Sequence, residues 1–208
     1  MVLALQNAGA KNVNLVWHKE TELPKQDLII IPGGFSYGDY LRCGAMAAHS
    51  PIMKEVIAQA NQGVQIFGVC NGFQILLETG LLPGALLNNK SLRFICKRVH
   101  LKAEAESGVL DKGSMIHVPV AHGDGNYFAN SELVNELEDR DQIAFRYCNE
   151  NGEQTEEANI NGSSDHIAGI YSKDKRILGM MPHPENAVLE HHGSCSAQDF
   201  FSNLLRAA

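Results

Sequence analysis

The chain is short of several things, and each shortage excludes something. Basic residues are outnumbered, 17 Lys and Arg against 24 Asp and Glu, for a net charge of -7 over 208 residues. So acidic a chain is not expected to bind nucleic acid, because its long-range field opposes a phosphate backbone. Long apolar runs are missing, so no membrane span is expected. The N-terminus does not show the basic-then-apolar order of a secretory signal. Cysteines are few, odd in number and scattered (Cys43, Cys70, Cys96, Cys148 and Cys195), with no C-x-x-C. That pattern suits neither a disulfide framework nor a zinc site, and points to a reducing, cytoplasmic setting. No P-loop and no G-x-G-x-x-G follows a strand, so no nucleotide site of a known type is expected.

What is present gathers around Cys70. The apolar, strand-like run Ile66 to Val69 stops at the cysteine, and an amphipathic helical run starts at once, with Gly68 and Gly72 on either side. This G-x-C-x-G pattern is the cysteine form of a nucleophile elbow. The sharp strand-to-helix turn pushes the side chain out at the carboxyl end of a sheet, and the small neighbours are expected to leave room for substrate. The N–H of Asn71 then lies at a helix N-terminus, where the macrodipole favours a thiolate or an oxyanion. A buried cysteine closing a strand is the plain alternative; the paired glycines and the strand–helix switch argue against it.

Along the chain, residues 1–8 are helix-like with Gly9 as C-cap. Residues 12–17 read as a strand, and 28–31 as a strand buried on both faces. Residues 51–61 read as a helix with Ser50 as N-cap and Pro51 at its first position, and the elbow strand and helix run to Thr79-Gly80. This alternation predicts an α/β fold: a mostly parallel central sheet with flanking helices. Beyond about residue 92, residues 94–101, 114–120, 142–147 and 166–171 read as strands separated by turns, a small mixed or antiparallel extension. A turn-rich stretch covers 149–164, a last strand 177–181 and a last helix 197–207. Without repeats, low-complexity tracts or linkers, a single domain over 1–208 is expected.

A nucleophilic cysteine needs a base and a group to orient it. His183, in Met181-Pro182-His183-Pro184-Glu185, stands out among nine histidines because two prolines stiffen its loop. In an extended segment Glu185 points to the same side as His183 and can hold its tautomer, giving Cys70–His183–Glu185. Asn71 supplies one oxyanion donor, and Gly34, in the glycine-rich turn after strand 28–31, is the candidate for the second. Gln74, one helical turn beyond Cys70, can present an amide to a substrate. The small-residue loop Ala121-His122-Gly123-Asp124-Gly125 is placed to close a pocket. Adjacent His191 and His192 diverge and lack further ligands, so they read as a solvated loop rather than a metal pair.

Together, residues 68–74, 33–44 and 182–185 resemble the class I (triad) glutamine amidotransferases, with similarity running from about residue 15 to 190. The resemblance implies a flavodoxin-like fold and hydrolysis of glutamine to glutamate and ammonia through a γ-glutamyl thioester on Cys70. His183 would be the base, oriented by Glu185. Gly34 and Asn71 would form the oxyanion hole, and Gly33, Gln74 and Gly123 would hold glutamine. The long loop 33–44 marks glutaminase subunits that pass ammonia to a separate synthetase subunit, commonly through a small bridging subunit. ATP and Mg would be used by that synthetase, with no cofactor in this chain. Two departures stand out. Asn186 occupies a position where many members carry arginine, which bears on a partner contact. The chain also begins inside what should be the first helix, so the opening strand is expected to lie upstream of Met1. Two other readings are a different elbow-cysteine hydrolase of similar fold and a catalytically silent regulatory subunit. The Pro-His-Pro-Glu loop argues against the first, and the intact Cys–His–Glu set against the second.

Overall fold

The computed structural model describes residues 1–36, 43–106 and 108–208. Its elements are α1 (Val2–Asn7), β1 (Leu28–Ile31), α2 (Cys43–Ala48), α3 (Ile52–Asn61), β2 (Gln65–Val69), α4 (Asn71–Glu78) and β3 (Ala85–Leu87). There follow β4 (Ile95–Ala103), β5 (Met115–His122), β6 (Asn126–Phe128), α5 (Ser131–Asp139), β7 (Ile143–Cys148), β8 (Ile167–Tyr171), β9 (Ile177–Met180) and α6 (Gln198–Ala207). Seven strands form one sheet in the order β1-β2-β9-β8-β7-β4-β5, and β3 and β6 form a separate two-stranded ribbon. The fold is α/β, as expected.

The apolar strands β1, β2 and β9 run parallel, with Ile30 beside Phe67 and Phe67 beside Leu178. The four strands expected beyond residue 92 are present, but they form no small extension: they make the central sheet mixed rather than mostly parallel. β8, β7, β4 and β5 are all joined antiparallel, and they continue the same sheet. Neighbouring residues of a strand face opposite sides, so Phe67 and Gly68 serve different layers. Phe67 meets Phe200 of α6 at 5.3 Å between ring centroids. On the other face, a Cβ at Gly179 would lie 2.2 Å from the Phe73 ring of α4. Phe200, Phe201 and Leu204 are buried on α6, and burying side chains of this size contributes roughly 1.5–3 kcal/mol each.

Five local expectations need correction. Strand 28–31, expected to be buried on both faces, is the edge strand β1, and only Ile29 of it is fully buried. Residues 12–17 form no strand: they join no ladder among the described residues, and Leu15 and Trp17 are 84% and 62% exposed. Strand-like residues stay irregular when no neighbouring edge takes up their N–H and C=O groups. Pro51 is itself the N-cap of α3, which starts at Ile52, and Ser50 makes no side-chain cap. The turns expected beyond residue 92 include a helix, α5, whose cap Asn130 accepts a 2.8 Å hydrogen bond from Leu133 N–H. Finally, the elbow glycines are small for packing rather than for substrate. A Cβ at Gly72 would lie 1.9 Å from the Ile31 carbonyl oxygen, and one at Gly68 would lie 2.9 Å from Gly72. The missing side chains let α4 lie directly on β1 and β2.

Candidate active site

Three strand ends build the site. β2 ends at Cys70, whose N–H still donates to the Met180 carbonyl of β9 at 2.8 Å. The chain then reverses: Cys70 adopts φ 51 and ψ -109, and its carbonyl accepts the first α4 bond from Gln74 N–H at 3.1 Å. A non-glycine residue held there stores about 1–3 kcal/mol of strain, which the packing around it must sustain. β9 ends at Met180, Met181 and Pro182 lead on from it, and the His183 N–H donates to the Pro119 carbonyl of β5 at 2.8 Å. Pro119 sits on the last strand of the sheet order, where a missing N–H costs no ladder bond. Two residues further along β5, the Ala121 carbonyl lies 3.7 Å from the Cys70 sulfur.

His183 Nδ1 and Glu185 Oε1 are 2.8 Å apart, and the two side chains are only 13% and 9% exposed. Nε2 of His183 is buried with no hydrogen-bond partner among the described residues. Burial opposes a charge on this ring, but the Cys70 sulfur and the Glu185 carboxylate together outweigh it and push His183 up to about 10. The ring is therefore poised as an imidazolium beside the sulfur. Cys70, His183 and Glu185 thus come together as the sequence predicts.

Gly33 is packed against them. A Cβ there would lie 2.8 Å from His183 Cε1 and 3.4 Å from Cys70 Cβ, so only glycine lets the β1 loop approach the imidazole. Gly34 has open space around it. Ser36 Oγ donates to Asn71 Oδ1, fixing the same loop to the start of α4. Residues 37–42, the remainder of the long loop read as subunit-specific, lie outside the described residues.

Gln74 lies where helical spacing puts it, but its amide is engaged. Oε1 accepts from Asn71 Nδ2 at 2.8 Å, and Nε2 donates to the Asp124 carbonyl at 3.0 Å. The loop of Gly123 is therefore joined to α4 through Gln74. Behind it lie residues that no sequence motif points to. Asn89 and Asn161, both fully buried, bond Gly125 N–H and the Gly125 carbonyl respectively. Their only sequence signal is an asparagine beside a glycine or another asparagine, which reads as a turn. His122, 3% exposed, is pushed down to about 4 by burial and by the neighbouring His183 charge. At the far end of the triad loop, exposed Asn186 closes the turn through its N–H to the His183 carbonyl at 3.2 Å. His191 and His192 do not diverge as expected: their rings meet edge-on with centroids 4.5 Å apart, and the His192 carbonyl accepts from Arg98.

A buried cysteine sulfur at a strained strand–helix turn, beside an imidazole held by a carboxylate, is equipped for acyl transfer by way of a thioester. Comparison with known proteins gives this geometry its context. The family model for CobB/CobQ-like glutamine amidotransferase domains matches residues 1–202. The phosphoribosylformylglycinamidine synthase subunit PurQ of Pelagibacter ubique (strain HTCC1062) is 50% identical over 208 residues, covering 99% of this chain and 91% of that protein. The PurQ subunit of Rhizobium meliloti (strain 1021) is 49% identical, with 99% and 91% covered. The solved PurLQS structure from Thermotoga maritima is similar with a TM-score of 0.76 and 40% identity, over 89% of this chain and 82% of that one. The glutaminase domain of Trypanosoma brucei CTPS with bound acivicin, at a TM-score of 0.59 and 15% identity over 99% of this chain and 86% of that one, shares the fold.

Proposed function

The chain belongs to the CobB/CobQ-like glutamine amidotransferase domain family, and from that premise we propose that it is the glutaminase subunit of a phosphoribosylformylglycinamidine synthase in purine biosynthesis. The relatives about 50% identical over nearly the whole chain carry that name. The observation that carries the chemistry is the Cys70 elbow facing the His183–Glu185 pair.

In this reaction the Cys70 sulfur attacks the side-chain amide carbon of glutamine. The carbonyl oxygen takes up the electron pair and is met by the N–H groups of Asn71, at the start of α4, and Gly34. Collapse breaks the C–N bond while His183 gives its proton to the leaving nitrogen, which departs as ammonia. A γ-glutamyl thioester remains on Cys70. His183, now neutral, takes a proton from water, which attacks the thioester, and glutamate leaves as the thiolate re-forms. Glu185 holds the ring through both steps. Gly33, Gln74 and Gly123 line the glutamine pocket. The ammonia passes to a synthetase subunit, with a small bridging subunit completing the complex. The chain itself needs no cofactor, since ATP and Mg serve the synthetase. Cys70, Cys96, Cys148 and Cys195 are free, which suits a cytoplasmic protein. Among the described residues no helix is long and apolar enough to cross a membrane.

The test is reconstitution with the synthetase and bridging subunits. Cys70→Ala is expected to abolish amidine formation from glutamine while leaving synthesis from ammonium salt intact. A diazo-ketone glutamine analogue should label Cys70 selectively. Glutamine-dependent synthesis surviving in Cys70→Ala would sink the proposal.

A further inference from the structure

Asn89 is fully buried between β3 and β4, and every hydrogen-bonding atom of its side chain is used. Nδ2 donates to the Arg93 carbonyl and the His122 carbonyl, each at 2.8 Å. Oδ1 accepts from Gly125 N–H at 3.1 Å and lies 3.0 Å from His122 Nδ1. Its backbone N–H donates to the Gly123 carbonyl at 2.9 Å. The two carbonyls and the Gly125 N–H leave the amide only one orientation. An oxygen therefore faces His122, and an oxygen can only accept, so Nδ1 must carry the imidazole proton. Nε2 is then the bare nitrogen, and it is buried without a partner among the described residues. The loop held this way presents the Ala121 carbonyl to the Cys70 sulfur and the Asp124 carbonyl to Gln74.

We propose that Asn89 is a positioning residue of the glutaminase reaction, acting through His122 and Gly125 to fix the loop that faces Cys70 and Gln74. This rests on the glutaminase reading above. The arrangement has two consequences for the site. The loop carbonyls cannot drift, so glutamine meets a formed wall rather than one it must order on binding. The second imidazole also turns its bare Nε2 away from Asn89, and burial together with the neighbouring His183 charge keeps that nitrogen unprotonated.

The test uses the reconstituted complex and two variants, Asn89→Leu, which removes all four side-chain bonds, and Asn89→Asp, which keeps only the two acceptances. Nitrogen-15 NMR of the wild-type chain at neutral pH should show His122 as the Nδ1–H tautomer. Asn89→Leu should lose that signature and raise the glutamine KM about tenfold or more, with kcat changed less than about threefold. Asn89→Asp should keep the tautomer and show a smaller rise in KM, and ammonia-dependent synthesis should be unchanged in both. An Nε2–H tautomer in the wild type overturns the proposal, whatever the variants do. So does a wild-type KM in both variants, or an equal loss of glutamine- and ammonia-dependent synthesis, which would make Asn89 a residue of the fold alone. A wild-type complex unable to use glutamine would instead fail the function proposed above.

Discussion

At Gly33 the first carbon of a side chain would begin 2.8 Å from His183 Cε1. Gly33→Ala is therefore expected to swing the imidazole and lower glutamine-dependent kcat by about 10- to 100-fold, the usual cost of a displacement near 1 Å. Ammonia-dependent synthesis should be untouched, and an unchanged kcat would show that the ring has room to move. Glu185 orients rather than transfers protons, so Glu185→Gln should cost less activity than His183→Ala; equal losses would refute this division of labour. The two site histidines also predict opposite responses to pH. His122 is pushed down to about 4 in the fold, against about 6.5 for an unfolded histidine. As pH falls from 6.5 to 4, the unfolded chain binds a proton that the folded chain refuses, and stability drops by about 3 kcal/mol. His183, raised to about 10, contributes fully below 6.5 and loses its contribution as pH rises through 10. Thermal melts should show a fall in Tm between pH 6.5 and 4 that His122→Asn flattens. An identical slope in that variant would reassign the acid sensitivity to other groups. That Cys70, His183 and Glu185 would meet was legible by motif and spacing, and so was the place of Gln74 one helical turn from Cys70. Asn89 was not, because its role lies in five hydrogen bonds to residues up to 36 positions away, none of which leaves a pattern.

Among the elements, α5 offers a clean measure of local stability. Asn130 caps it through Leu133 N–H, and only Leu137 is buried. Asn130→Ala should cost about 1 kcal/mol, lowering Tm by about 2–4 °C for a chain of this size. No change in Tm would mean that water or a neighbour replaces the cap. This helix could have been read from the sequence, since an asparagine cap precedes Leu133, Val134 and Leu137 at helical spacing. The strand expected at residues 12–17 is the opposite case. Its composition favours extension, but pairing is decided by a neighbouring edge, and composition says nothing about that. α4 shows both influences at once. Its amphipathic pattern marks the helix, while its position on β1 and β2 depends on Gly72 leaving space for the Ile31 carbonyl.

As a whole the molecule holds its substrate-binding groups in contacts of its own. The Gln74 amide is tied to Asn71 and Asp124, and Asn71 to Ser36; the Gln74–Asn71 and Asn71–Ser36 bonds are expected to give way when glutamine enters, while the Asp124 wall stays in place. The isolated chain is therefore expected to be a poor glutaminase, and docking of the synthetase to raise glutamate release about tenfold or more by freeing these groups. Equal rates with and without the partner would defeat this view. Pattern along the chain was enough to give the layered α/β plan, the elbow and the meeting of Cys70 with His183 and Glu185. These depend on local periodicity, on a turn too tight for other residues and on prolines that stiffen one loop. Only folding shows that the antiparallel strands continue the central sheet, which glycine must touch the imidazole, and that buried Asn89 holds the 121–125 loop. Each of these depends on which strand edges and backbones meet, and such meetings are set by packing between residues far apart in the chain.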